Sequence, residues 1–136
     1  MAVLWRLSDL RGHKMNVHEQ HRGRFVVRPQ RDGSTVVLHV QGDLDVLTAP
    51  TLGTYLDIAL ADAPKMLIVD ITGVGFLSSA GISMLVETHR LTERAGISLR
   101  VVAEGSATAR PLRMMNIDEI IDLYPTLPDA LGGIKP

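Results

Sequence analysis

Phe76-Leu77-Ser78-Ser79-Ala80-Gly81 follows the apolar run Met66-Leu67-Ile68-Val69-Asp70 and precedes a helical pattern from Ile82 to Ala95. A continuous run of this kind reads as a strand buried on both faces, as in a parallel sheet. Two hydroxyls therefore stand where a strand–loop segment feeds the start of a helix. The first turn of a helix has backbone N–H groups without intrahelical partners and carries the positive end of the dipole. A serine there can serve as an N-cap, or it can carry a phosphate where negative charge is tolerated.

Working outward, strand and helix signals alternate. Phe25-Val26-Val27 is a short strand and Asp32-Gly33 a hairpin turn. Thr35 to Val40 is β-branched and apolar, and Gly42-Asp43-Leu44-Asp45 reads as a turn-like exit. Thr48 is the expected N-cap of a helix carrying Pro50, Leu52, Tyr55, Leu56, Ala59 and Leu60, which Ala63-Pro64 ends. The second helix runs from about Ala80 to Arg94, before a C′ glycine at Gly96. Ser98 to Ala103 is a strand, Ala107 to Met115 a helix, Ile120 to Tyr124 a last short strand, and Thr126 the cap of a final helical turn. Strands alternating with helices call for an α/β fold with crossover connections.

The 136 residues fit one domain, and 46% hydrophobic content supports a core built mainly from aliphatic side chains. Residues 1–24 hold Arg6, Arg11, Lys14, Arg22 and Arg24 against Asp9 and Glu19, a net +3 that leaves the remainder at −4. They read as a basic, disordered N-terminal extension, with a weak helical signal over Val3–Leu10, and residues 25–136 as the folded domain. The overall charge of −1 gives no general pull toward nucleic acid or an anionic membrane. The absence of cysteine excludes disulfides and thiol chemistry. No apolar segment reaches the roughly 20 residues of a membrane span, so a cytoplasmic protein is expected.

Other chemistries fit poorly. A nucleophile elbow needs glycine two residues before and after its serine, and Leu77 occupies the first of those positions for Ser79. His39 falls mid-strand and His89 mid-helix. His13, His18 and His21 have no carboxylate in matching register, so no metal site is expected. Gly73, Gly75 and Gly81 lack the lysine of a phosphate loop. On the second helix, Gly81, Leu85, Thr88 and Thr92 form one stripe and Ile82, Val86, Arg90 and Glu93 another. If only one stripe faces the sheet, the other leaves an apolar docking surface beside the serines.

Gly42-Asp43-Leu44-Asp45, Thr48-Ala49, Ile68-Val69-Asp70 and Val74 to Gly81, in this order and spacing, resemble the STAS domain, and more narrowly a bacterial anti-sigma factor antagonist. The resemblance covers Phe25 to the C-terminus. It implies a four- to five-stranded mixed sheet with helices mainly on one face, and a non-enzymatic regulator that needs no cofactor. Such a regulator binds an anti-sigma factor serine kinase and so releases a sigma factor. Phosphorylation ends the binding, and a serine phosphatase restores it. Aligned on Gly81, the phosphoacceptor falls on Ser79; the family's usual aspartate falls on Ser78, a secondary acceptor candidate, and its following hydroxyl on Ala80. Asp43, Asp45, Ser78, Ala80, Gly81, Ile82 and Val86 are the expected partner contacts. The alternatives are a STAS adaptor in a transport or sensory complex that is not phosphorylated, and a small hydrolase using Ser79.

Overall fold

The computed structural model describes residues 25–133. The extension over residues 1–24, its three histidines and the helical signal at Val3–Leu10 lie outside them. Five strands form one mixed sheet in the order β1-β2-β3-β4-β5: Val26–Asp32, Thr35–Leu44, Met66–Leu77, Ser98–Val102 and Asp122–Tyr124. The hairpin at Asp32-Gly33 makes β1 antiparallel to β2, and every later pairing is parallel. The helices are α1 (Ala49–Ala61), α2 (Ser79–Ala95), α3 (Ala109–Met114) and α4 (Leu127–Gly132), with a 3₁₀ turn at Ile117–Glu119.

The two faces of the sheet are covered unequally. Val36, Leu38 and Val40 of β2, with Leu67 and Val69 of β3, pack beneath α1, α2 and α3 through Leu52, Leu56, Ile82, Leu85 and Leu112. Each such aliphatic side chain, fully buried, contributes about 1.5–3 kcal/mol. On the opposite face Val37, Ile68, Val102 and Tyr124 form a smaller cluster under Ala130 of α4. Leu67-Ile68-Val69 is apolar without alternation because both faces are covered at that level. Arg100, on the α4 side, donates to the Ala130 carbonyl and lies over the Tyr124 ring, 5.7 Å from its centroid. A cation thereby meets the negative end of α4.

Farther along β2 and β3, beyond the cover of α4, the same face turns polar. His39 Nδ1 lies 3.1 Å from Asp70 Oδ2, and its Nε2 lies 2.9 Å from Gln30 Oε1. The Thr72 hydroxyl donates to Asp70 Oδ1 at 2.7 Å. Asp70 is thus tied into the sheet surface.

Several boundaries differ from the sequence expectation. Gly42-Asp43-Leu44 is strand, not a turn-like exit: β2 continues to Leu44 through two slips of register against β3, between His39 and Gln41 and between Gly42 and Asp43. Glycine and aspartate favour turns locally, but the parallel ladder to β3 overrides that preference. β3 likewise extends to Leu77, so the segment before the serines is strand rather than loop. Thr48 occupies the N-cap position of α1 without a capping bond; its hydroxyl donates to the Asp43 carbonyl at 2.6 Å. Asp45 closes the turn that leads into the helix, its Oδ1 accepting from the N–H groups of Leu47 at 2.9 Å and Thr48 at 3.1 Å. The stretch Ile120 to Tyr124 yields a strand only from Asp122, since Ile120 and Ile121 close the 3₁₀ turn with backbone bonds to Ile117. Gly96 ends α2 at φ 72°, a left-handed conformation that costs glycine little.

Candidate functional site

β2 and β3 finish side by side, with Leu44 opposite Leu77 and Asp43 opposite Phe76. The chain leaving β3 is locked to β2 by the Ser78 N–H, which donates to the Leu44 carbonyl at 2.9 Å. Ser78 is extended, at φ −86° and ψ 171°, and its Oγ accepts from the Gly81 N–H at a long 3.4 Å. Its carbonyl accepts from Ile82 N–H at 3.0 Å. Ser78 is therefore the N-cap of α2, and Ser79 is the first helical residue, exposed to solvent. The two hydroxyls divide the roles: the first closes the helix end, and the second is left for other chemistry.

The division can be measured. Ser78→Ala removes a long capping bond and is expected to cost about 0.5–1 kcal/mol, read as a lower urea midpoint. Ser79→Ala should stay within about 0.5 kcal/mol of the parent, as surface changes usually do. The reverse ranking would show that Ser79 is the structural serine.

α2 rests on the sheet through the stripe Gly81, Leu85, Thr88 and Thr92, all buried. The two threonines face the core because each hydroxyl donates back along the helix, Thr88 to Met84 O at 2.7 Å and Thr92 to Thr88 O at 2.9 Å. The contact reading of the second stripe is corrected here. Ile82 is 6% exposed and belongs to the core, and Val86 is half-buried and packs against it. Gly81 is buried too: a Cβ there would stand 2.8 Å from Leu44 Cγ and Leu77 Cδ1. Neither Gly81 nor Ile82 offers a side chain to a partner. Ala80 is half-buried, and the outward face of the helix runs Ser79, Ser83, Glu87, Arg90. Arg90 grips Glu87 through two hydrogen bonds, at 3.0 and 3.1 Å, which hold that carboxyl below its usual range.

The exposed apolar surface at this end of the sheet comes from elsewhere. Val46 and Leu47, in the loop that Asp45 holds, are 72% and 65% exposed, and Phe76 at the end of β3 is 55% exposed. Sequence reasoning missed all three. The signal was two aliphatic residues between Asp45 and Thr48, in a turn with no helical or strand period to bury them. Asp43 is exposed beside Phe76, its Oδ1 leaning over Gly75. Asp45 is half-buried, with its Oδ1 committed to the turn.

The described histidines are placed elsewhere. His39 is held by Asp70 and Gln30, and His89, ten residues from Ser79 on the same helix, or about 15 Å along its axis, pairs with Glu93. Among the described residues, no helix is long and apolar enough to cross a membrane, and no group of three or more His, Asp or Glu side chains is placed to hold a metal ion.

Comparison with known proteins agrees with this architecture. The model of the STAS domain family matches residues 26–130. The chain is 39% identical over 101 residues to the anti-sigma-F factor antagonist RsfB of Mycobacterium tuberculosis, covering 73% of this chain and 80% of the relative. It is 23% identical over 106 residues to the anti-sigma-B factor antagonist of Bacillus subtilis, covering 78% and 94%. The crystal structure of an anti-sigma factor antagonist from Mycobacterium paratuberculosis superposes with a TM-score of 0.76 at 34% identity, covering 81% of this chain and 93% of that one. With the family model spanning most of the sequence and the sheet order and helix placement in accord, the chain belongs to the STAS domain family.

Proposed function

We propose that this chain is an anti-sigma factor antagonist that acts by partner switching, with Ser79 as the phosphoacceptor. The unmodified form binds an anti-sigma factor serine kinase in the cytoplasm and frees a sigma factor. Phosphate on Ser79 ends the association, and a serine phosphatase restores it. The chain itself performs no catalysis: the kinase brings nucleotide and metal. Residues 25–136 form the binding domain, with residues 1–24 as an appended basic segment.

The observation that carries this reading is the pairing of an exposed Ser79 with a Ser78 that already closes the helix end. A kinase can take the free hydroxyl without undoing a cap. Val46, Leu47 and Phe76 supply apolar contact area at the same end of the sheet, and Asp43, Ser78 and Ala80 its polar and small surroundings. The relatives carrying the name anti-sigma factor antagonist support the choice of partner class.

The test is incubation with the cognate anti-sigma factor and ATP, followed by peptide mapping. Phosphate is expected on Ser79. Phosphate found only at another residue, Ser78 included, overturns the assignment.

A further inference from the structure

The strands place the start of the described chain at the same end of the sheet as Ser79. β1 runs antiparallel to β2 with Val26 opposite Gln41, so Phe25 stands where β2 and β3 finish. Phe25, the point at which the described chain begins, is therefore at the sheet end that carries Asp43, Phe76 and the loop of Val46 and Leu47. The sequence of the preceding 24 residues is complementary to that surface. Val3, Leu4, Trp5, Leu7 and Leu10 are apolar, Arg6, Asp9 and Arg11 stand among and after them for a net +1 over residues 3–11, and residues 1–24 together carry +3 against −4 for the rest. This end of the sheet offers three exposed apolar side chains, Val46, Leu47 and Phe76, with exposed Asp43 opposite Phe76 in the β2–β3 register.

We propose that residues 3–11 dock on the Val46, Leu47 and Phe76 surface of their own chain, with Trp5 as the apolar anchor and Arg6 or Arg11 facing Asp43. Twenty residues separate Trp5 from Phe25 and span up to about 70 Å when extended, so reach is no obstacle. A tether of this length holds the segment at an effective concentration on the order of 1 mM, enough for a weak contact to be occupied much of the time. The contact stands independently of the partner reading. Its consequence, that the segment competes with an anti-sigma factor for the same surface, rests on that reading.

Trp5 is the single tryptophan of the sequence, so its fluorescence reports this contact without any partner present. In the full chain, Trp5 emission is expected at shorter wavelength than that of a free peptide of residues 1–24. The double substitution Leu47→Ser and Phe76→Ser should move it to the red and raise acrylamide quenching several-fold. Both positions are exposed, and far-UV circular dichroism checks that the variant is folded. Asp43→Asn, or added salt in the parent, should give a smaller change in the same direction. Emission and quenching equal to those of the free peptide in the parent chain overturn the proposal, and so does a signal that the double substitution leaves unmoved. A blue-shifted signal lost on dilution overturns it too, because the occupant is then a second copy. Failure of this test leaves phosphorylation of Ser79 untouched.

Discussion

Phosphorylated at Ser79, the chain is expected to bind its anti-sigma factor at least about a hundredfold more weakly than the bare form, while its melting temperature changes little. The two halves of this result have separate causes. A phosphate adds about −1.5 to −2 charges near neutral pH. At the first position of α2 it meets the positive end of the helix dipole, and no acidic side chain occupies that first turn to repel it. Locally, then, the modification is tolerated. Across an interface it is not: a charge buried without a counter-charge costs about 2–5 kcal/mol, and about 2.7 kcal/mol is already a hundredfold in affinity. Asp43 at the same sheet end adds charge of the same sign. Ser79→Glu carries one charge on a shorter arm, and about tenfold weakening is expected of it. Ser79→Ala should bind like the parent and ignore kinase and ATP. Isothermal titration of the four forms, with melting curves of each, measures both halves. Equal affinity of the bare and phosphorylated chains refutes the switch, and a large drop in melting temperature would mean that affinity falls through unfolding.

Gly81→Val is expected to be the most damaging single change near the site. Removing glycine from a helix interior ordinarily gains up to about 1 kcal/mol. Here the gain is outweighed, because the first added carbon stands 2.8 Å from Leu44 Cγ and Leu77 Cδ1 and 3.1 Å from Leu44 Cδ2. Leu44 and Leu77 are the last buried residues of β2 and β3, and α2 descends onto them. Overpacking of a tight core typically costs about 1–3 kcal/mol, and valine's branch places it at the upper end or above. A fall in melting temperature on the order of 10 °C follows for a domain of this size. Gly81→Ala should show a smaller loss of the same sign. A valine variant that melts with the parent would mean that α2 does not rest where it is described.

The fold was legible wherever local chemistry and long-range pairing agree. Asp32-Gly33, Ala63-Pro64 and Gly96 punctuate the chain where the structure turns, and Met66 to Val69 is the doubly covered strand its composition announces. Gly42-Asp43 misled because turn preference is a property of the residue, whereas continuation of β2 depends on a partner strand about thirty residues away. For Ser78 and Ser79, sequence shows two hydroxyls and cannot divide them. That needs the backbone, since only the residue with extended φ/ψ can reach over the first turn. The apolar surface was expected on α2 because helical periodicity was the available guide. Its true owners, Val46, Leu47 and Phe76, belong to a turn and a strand end where no period applies.

With Ser78 holding both the Leu44 carbonyl and the first turn of α2, a group attached to the next residue disturbs none of those bonds. In the switch proposed at Ser79, none of the bonds that close the strand end and the helix start has to break on modification. The proposed cycle is then expected to run at the pace at which kinase and phosphatase meet the chain and turn over, so that enzyme abundance tunes signalling speed.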